Sequence, residues 1–286
     1  MTPAVPLRTL LGFIEEDAPF GDATTEAIIP DIRVRASIRA KDRGVIAGLA
    51  EARALFEHYG VTVRQNHADG KAVEAGQVLL ALEGDARAIL LVERTALNII
   101  GRMSGIATQT HRFVEAARKI DPDLRIAATR KTAPRMRILD KKAVALGGGD
   151  PHRFGLSDGI LIKDNHLALV PIRDAIAKAR ASCAYRKIEI EVENPEDAVL
   201  AAECGADIIL LDNMPPERIE ETLRALAARE LRDRVLIEIS GRITGASFGD
   251  YCRTGADIIS IGALTHSVRN FDVSLEIHKG VVTFTM

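Results

Sequence analysis

Hydrophobic positions change their period along this chain. From Val34 to Leu82 they come in short alternating runs cut by glycine: VRASIRAKDRGVIAG, VTVRQN and GQVLLALEG. Period two sends alternate side chains to opposite faces, so these runs predict strands of a small mixed sheet. EARALFEHYG between them has a helical period, and Gly60 suits its C-cap because glycine accepts left-handed backbone angles. A helical pattern then runs from about Ala86 to Ile120. Gly101 and Gly105 fall inside it and predict two helices in place of one.

From Leu124 onward the pattern alternates. Apolar, β-rich runs occur at 125–129, 159–164, 187–193, 207–212, 234–240 and 257–262. Amphipathic segments separate them at about Pro134–Leu146, Val170–Ala181, Pro195–Cys204, Pro215–Ala228 and Gly245–Arg253. Asn194 and Asn213 precede prolines and suit N-caps. The runs start 20 to 34 residues apart, the length of a βα unit. Six such units predict a parallel barrel or a doubly wound sheet, fewer than the usual eight for a full barrel.

Polar residues gather where these strands end. Thr129-Arg130-Lys131-Thr132 follow the first, and Lys163-Asp164-Asn165-His166 the second. Glu191 and Glu193 lie on the third and Asp212-Asn213 end the fourth. Ser240-Gly241-Arg242 end the fifth; Gly262-Ala263 end the sixth, before Thr265 and His266. Every strand contributes, which favours a barrel over an open sheet with a single switch point.

Composition narrows the chemistry. The 38 Lys and Arg nearly balance 40 Asp and Glu, for a net charge of -2, so there is no basic excess to suggest a nucleic-acid partner. No apolar run reaches membrane-spanning length, and the N-terminus has no signal-peptide core, so a cytoplasmic protein is expected. Cys183, Cys204 and Cys252 are odd in number and widely spaced, which predicts buried thiols and neither disulfides nor a zinc site. Trp is absent and aromatics are 4%, so stacking is not the main recognition device.

The local charge is less neutral. Residues 130–142 hold Arg130, Lys131, Arg135, Arg137, Lys141 and Lys142 against the single acid Asp140. Arg137, Lys141 and Lys142 read as a solvated helix face. Arg130, Lys131, Arg153 and Lys163 sit at strand ends or by the Gly147-Gly148-Gly149 loop and are candidates for binding a polyanion. Glu191 and Asp212 end consecutive strands and suit Mg2+ or ribose hydroxyls. Ser240-Gly241 and Gly262-Ala263 lie where barrels hold a phosphate on loop amides. Together these point to a phosphorylated sugar bearing a second phosphate group. A Schiff-base lyase using Lys163 and a non-catalytic binding barrel are the competing classes.

Several segments, in order, carry a resemblance. They are EDAPFGDATT (16–25), ERTALNIIGRMSGIAT (93–108), TRKT (129–132), GGGDPHRFGLSDGILIKDNH (147–166), EVEN (191–194), ILLDNM (209–214) and GALTHSV (262–268). Nearly end to end, the chain resembles the quinolinate phosphoribosyltransferase (decarboxylating) family, also called nicotinate-nucleotide pyrophosphorylases. That resemblance implies an α/β fold: an N-terminal α/β sandwich domain (1–105, joined by the tail 271–286) and an incomplete parallel barrel of about six strands (106–270). It implies a homodimer with shared sites, and a reaction of quinolinate with 5-phosphoribosyl 1-pyrophosphate and Mg2+. The products would be nicotinate mononucleotide, pyrophosphate and CO2.

By motif, Arg94 (from the partner subunit), Arg130, His152 and Arg153 resemble the dicarboxylate pocket. Lys131 and Lys163 resemble the lysines at substrate and pyrophosphate, and Glu191 and Asp212 the carboxylates at ribose and metal. Ser240, Gly241, Gly262 and His266 resemble the 5-phosphate site. Three positions depart from the family pattern: Ala133 for Thr, Arg135 for Gly, and Arg242 for the second Gly of Ser-Gly-Gly. Arg242 either adds a cation or points away, and the second is preferred. A related family encoded with molybdate transporters shares the fold; the intact LIKDNH segment (161–166) argues against it.

Overall fold

The computed structural model describes residues 4–241, 243, 247–278 and 283–284. Arg242 and Gly245, the expected start of a helix, lie outside them. The chain divides into two compact units. Residues 1–111, 133–148 and 267–286 form the first, and 112–132 and 149–266 the second. Elements are numbered along the whole chain.

The first unit begins with α1 (Leu7–Asp17) and α2 (Ala23–Ile28), followed by β1 (Ile32–Ala40), β2 (Gly44–Val45) and α3 (Leu49–His58). Next come β3 (Thr62–Gln65), β4 (Ala72–Val73), β5 (Val78–Asp85) and the start of α4 (Ala86–Arg118). It also holds α5 (Arg137–Leu146), β12 (Val273–Ile277) and β13 (Thr283–Phe284). The main sheet runs β12-β1-β5-β3, with β13 also on β1; β2 and β4 form a separate ribbon. Every ladder here is antiparallel, so the expected mixed sheet is antiparallel instead. Alternate residues Val34, Ala36, Ile38 and Ala40 of β1 are buried, and Ile38 pairs with Leu80 of β5. Gly60 follows α3 at φ +77°, the left-handed angle its C-cap reading required.

Residues 86–118 form one helix of 33 residues, where two were expected. The glycines are sites of close approach. A Cβ on Gly105 would lie 2.2 Å from the Arg269 carbonyl, and one on Gly101 3.0 Å from that of Phe271. The Phe271 amide donates to the Gly101 carbonyl at 2.9 Å. Removing side chains lets a second backbone lie on the helix, an effect that overrides weak helix propensity. The cation run on α5 is likewise no solvated face. Lys141 is buried and Lys142 pairs at 2.6 Å with buried Glu51. Arg102 holds the buried Asp140 in a bidentate pair at 2.7 and 2.8 Å. Burial pushes the Asp140 carboxyl up, against the pull of Arg102.

The second unit is built on β6 (Arg125–Ala127), β7 (Ile160–Ile162), β8 (Ile188–Val192), β9 (Ile208–Asp212), β10 (Leu236–Ser240) and β11 (Ile258–Ser260). Its helices are α6 (Asp164–Leu167), α7 (Ile172–Ser182), α8 (Pro195–Glu203), α9 (Pro216–Ala227), α10 (Phe248–Cys252) and α11 (Ala263–His266). The six strands are parallel and run β6-β11-β10-β9-β8-β7. The last strand returns to the first, and β6 and β7 remain unpaired edges; from β6 only an isolated bridge, Ala127 to Asp150, reaches the chain that leads to β7. Six strands therefore curl into an incomplete barrel.

Period two sorts each strand. Ile188, Ile190, Val192, Ile209, Leu211, Ile237, Ile239, Ile259 and Ile261 lie in the buried apolar layer under the helices. The alternate set faces inward and supplies the site. A repeated Gly-Ala-Asp-Ile-Ile (205–209 and 255–259) locks the strand starts: Asp207 accepts from the Ile188 amide at 2.7 Å, and Asp257 from that of Ile237 at 2.6 Å. Asn194 caps α8 through the Asp197 amide at 2.8 Å, with Pro195 in its first turn. Asn213 does not cap α9, which starts at Pro216 after Pro215; its own φ is +52°. Cys252 is buried, and burial lifts its thiol to about 11; Cys183 and Cys204 are only half-buried. Among the described residues, no helix is long and apolar enough to cross a membrane.

Candidate active site

The inward side chains meet at the C-terminal edge of the parallel strands, around a cavity of about 380 Å³. β8 sends in Glu189 and Glu191, β9 sends Leu210 and Asp212, and β10 sends Glu238 and Ser240. Ser260 of β11 and Leu161 of β7 complete the strand contribution. Thr129, Arg130 and Lys131 follow β6, Lys163 follows β7, and His152 and Arg153 enter from the loop after Gly149. Barrel interiors are ordinarily filled by branched apolar side chains. Here two glutamates occupy the interior of the layer below the rim, at 4% and 2% exposure for Glu189 and Glu238.

Both face His152. Its Nε2 lies 3.4 Å from Glu238 Oε1 and 3.7 Å from Glu189 Oε2. The residue is held at φ +58° and its amide donates to Asp150 at 2.7 Å. Burial lowers the imidazole pKa, but hydrogen bonds and charge from Glu189 and Glu238 outweigh it and lift the value to about 9. The Arg153 amide donates to His152 Nδ1 at 2.8 Å, a bond that only a bare Nδ1 can accept. These two features oppose each other. At an effective dielectric of about 20, a charge at this range is worth roughly 4–5 kcal/mol per carboxylate, against about 1 kcal/mol for one neutral hydrogen bond. The two carboxylates therefore favour the protonated ring, while the bond from the Arg153 amide is one that a bare Nδ1 accepts.

Around this floor lies a ring of cations. The buried Nε atoms of Arg130 and Arg153 have no hydrogen-bond partner within the protein. Burial, then repulsion from Arg130, lowers the pKa of Arg153. Both guanidiniums are better satisfied with an anion between them. Lys163 pairs with Glu191 at 2.6 Å. Asp212 Oδ2 accepts from Asn213 Nδ2 at 2.6 Å.

The last strands form the rim. Gly241 has φ +140°, and a Cβ there would meet Asn213 atoms at 2.9 to 3.2 Å. Gly262 lies against His266 and Lys131, with 3.1 and 3.3 Å to a would-be Cβ. Thr265 donates to the Lys131 carbonyl at 2.9 Å, tying β11's end to β6's.

Of the residues singled out in the sequence, Arg130, Lys131, His152, Arg153, Lys163, Glu191, Asp212 and Ser240 line one cavity. Gly241 follows β10, Gly262 immediately precedes α11, and His266 ends that helix. Arg94 is exposed on α4 in the first unit and does not line it. Glu193 lies beyond β8 and is exposed. Glu189, Glu238 and Asn213 were not singled out as site residues. The signal for the glutamates was a charge at the inward step of an otherwise apolar strand, in KIEIEVE and RVLIEIS.

Comparison with known proteins now decides the family. The model of the quinolinate phosphoribosyl transferase N-terminal domain matches residues 22–104, and that of the C-terminal domain matches 106–276. The chain belongs to the quinolinate phosphoribosyl transferase family. A probable nicotinate-nucleotide pyrophosphorylase [carboxylating] of Methanothermobacter thermautotrophicus is 47% identical, over 92% of this chain and 96% of its own. The Mycobacterium leprae nicotinate-nucleotide pyrophosphorylase [carboxylating] is 40% identical, over 94% and 96%. The crystal structure of NadC from Streptococcus pyogenes matches at a TM-score of 0.89 and 36% identity, over 100% of both chains. As a quinolinate phosphoribosyl transferase, the chain has a barrel mouth whose cations and carboxylates suit a diphosphorylated sugar and an anionic acceptor.

Proposed function

We propose that the chain transfers the phosphoribosyl group of 5-phosphoribosyl 1-pyrophosphate to the ring nitrogen of quinolinate. Pyrophosphate leaves in that transfer, and loss of CO2 from the adduct then yields nicotinate mononucleotide, a step of NAD biosynthesis. The observation that carries this is the buried, unpartnered Nε of both Arg130 and Arg153 in a cavity shared with His152, Lys163, Glu191 and Asp212. Arg130, His152 and Arg153 would hold the dicarboxylate, with Arg94 of a second copy completing the pocket in a homodimer. Lys131 and Lys163 would face the pyrophosphate, and Ser240, Gly241, Gly262 and His266 the 5-phosphate.

Charge development sets the roles. As the bond from ribose C1 to pyrophosphate breaks, the ribose becomes positive and the leaving group negative. Glu191 and Asp212 stabilise the first, and the lysines the second. Hard carboxylate oxygens on neighbouring strands are a donor set that fits Mg2+, which Glu191 and Asp212 would hold. Bound there, the ion would neutralise pyrophosphate charge. Once its nitrogen is glycosylated, the cationic ring stabilises the electron pair left on the adjacent carbon by CO2, and a proton from water then forms the C–H bond there. The half-buried, unpaired thiols Cys183 and Cys204 fit a reducing cytoplasm. Purified protein incubated with quinolinate, phosphoribosyl pyrophosphate and Mg2+ is expected to form nicotinate mononucleotide. Absence of product with both quinolinate and nicotinate would overturn the assignment.

A further inference from the structure

A second cavity of about 250 Å³ opens at the opposite end of the strands, and His152, Arg153, Glu189 and Glu238 line both cavities. These residues form the floor between the two. Glu189 Oε1 has no hydrogen-bond donor, and Glu238 Oε1 has only His152 Nε2 at 3.4 Å, although both side chains are almost fully enclosed. Two buried carboxylates without a cation would be costly. The titratable ring between them is His152.

We propose that Glu238, with Glu189, is a positioning residue that holds His152 as a doubly protonated donor, so that the floor selects a pyridine dicarboxylate over a monocarboxylate. This rests on the quinolinate reading above. Nε2–H stays on the glutamates, and Nδ1–H turns from the Arg153 amide toward the cavity, where a carboxylate accepts it. Without the glutamates a neutral ring keeps its Nδ1 on that amide and offers the ligand nothing. The other charged groups lining the cavities the ring borders are Arg130, Lys131, Arg153, Lys163, Glu191 and Asp212 in the upper one, and Asp150, Arg153, Asp158 and Lys187 in the lower one. Asp150 is engaged by the His152 amide.

Glu238→Gln keeps the shape and removes the charge. In histidine-labelled protein without substrates, NMR titration of His152 is expected to move from about 9 toward the ordinary imidazole value of about 6.5. The sign follows: a raised pKa keeps the ring charged until pH climbs through it, so the variant loses the cation at lower pH. At about pH 7.5 the KM for quinolinate is expected to rise about tenfold or more, the cost of one charge-assisted hydrogen bond. The KM for phosphoribosyl pyrophosphate should stay unchanged, and the defect should shrink near pH 6, where the ring protonates unaided. In a His152→Gln background, Glu238→Gln should add nothing. An unchanged titration of His152 would overturn the proposal. So would a defect that is independent of pH or falls equally on both substrates. Failure of the wild-type protein to use quinolinate would sink the family activity instead, and leaves the titration as a separate readout.

Discussion

Arg135 shows how a single departure from a family pattern becomes physical. It stands where glycine is usual, and its φ is +65°, so the backbone has kept the left-handed angle that glycine would take without strain. An L-residue there costs about 1–2 kcal/mol, while glycine gives back about 0.4–1 kcal/mol through a freer unfolded chain. Arg135→Gly is therefore expected to raise the thermal unfolding midpoint by about 1–3 °C, and Arg135→Ala not to raise it. A fall with glycine would mean that the side chain, whose Nη2 would lie 3.1 Å from a Cβ on Gly12, contributes more than the angle costs. Residues at this scale were legible when chemistry and position agreed. Glu191 and Asp212 are acids ending consecutive strands, and both line the cavity. Glu189 and Glu238 were not legible as site residues, because their partner His152 comes from a loop whose path no local pattern specifies. Asn213 was misread for a similar reason. An asparagine before proline suits a cap, but here Asn213 takes a left-handed angle and its side chain donates to Asp212.

Elements were legible where one period dominated. All six parallel strands lie within the runs read from the sequence, because apolar, β-branched stretches bounded by turns leave few alternatives. What failed was α4, where local propensity and tertiary packing disagree. In an exposed helix, Gly→Ala gains about 1 kcal/mol. At Gly105 the added Cβ would sit 2.2 Å from a backbone carbonyl, and backbone cannot rotate aside as a side chain does. Overpacking costs about 1–3 kcal/mol or more, so Gly105→Ala is expected to lower stability by about 1–2 kcal/mol net in urea unfolding. Gly101→Ala, at 3.0 Å, should be milder. If both substitutions stabilised the protein, the close-approach account of these glycines would be wrong. The α5 cations fit the same pattern. Their charge predicted solvent, yet Lys142 and Asp140 each have a partner distant in sequence, Glu51 and Arg102.

At the scale of the whole molecule, the open question is why Arg94, carried by the ERTALN motif, stands exposed on the first unit while its expected companions line a cavity in the second. If a second copy supplies it, each site takes its barrel from one protomer and Arg94 from the other. That arrangement makes a numerical prediction. Arg94→Ala and Lys163→Ala should each be nearly inactive alone. When the two are mixed and their subunits allowed to exchange, half of the dimers are mixed. In each of these, one site draws an intact Lys163 from one protomer and an intact Arg94 from the other, while the second site lacks both. One site in two, in half the dimers, restores about a quarter of wild-type activity in a symmetric dimer. A site contained within one chain would restore none, because neither variant brings both residues. Full activity in Arg94→Ala alone would instead remove Arg94 from the pocket and leave Arg130, His152 and Arg153 to hold the dicarboxylate unaided.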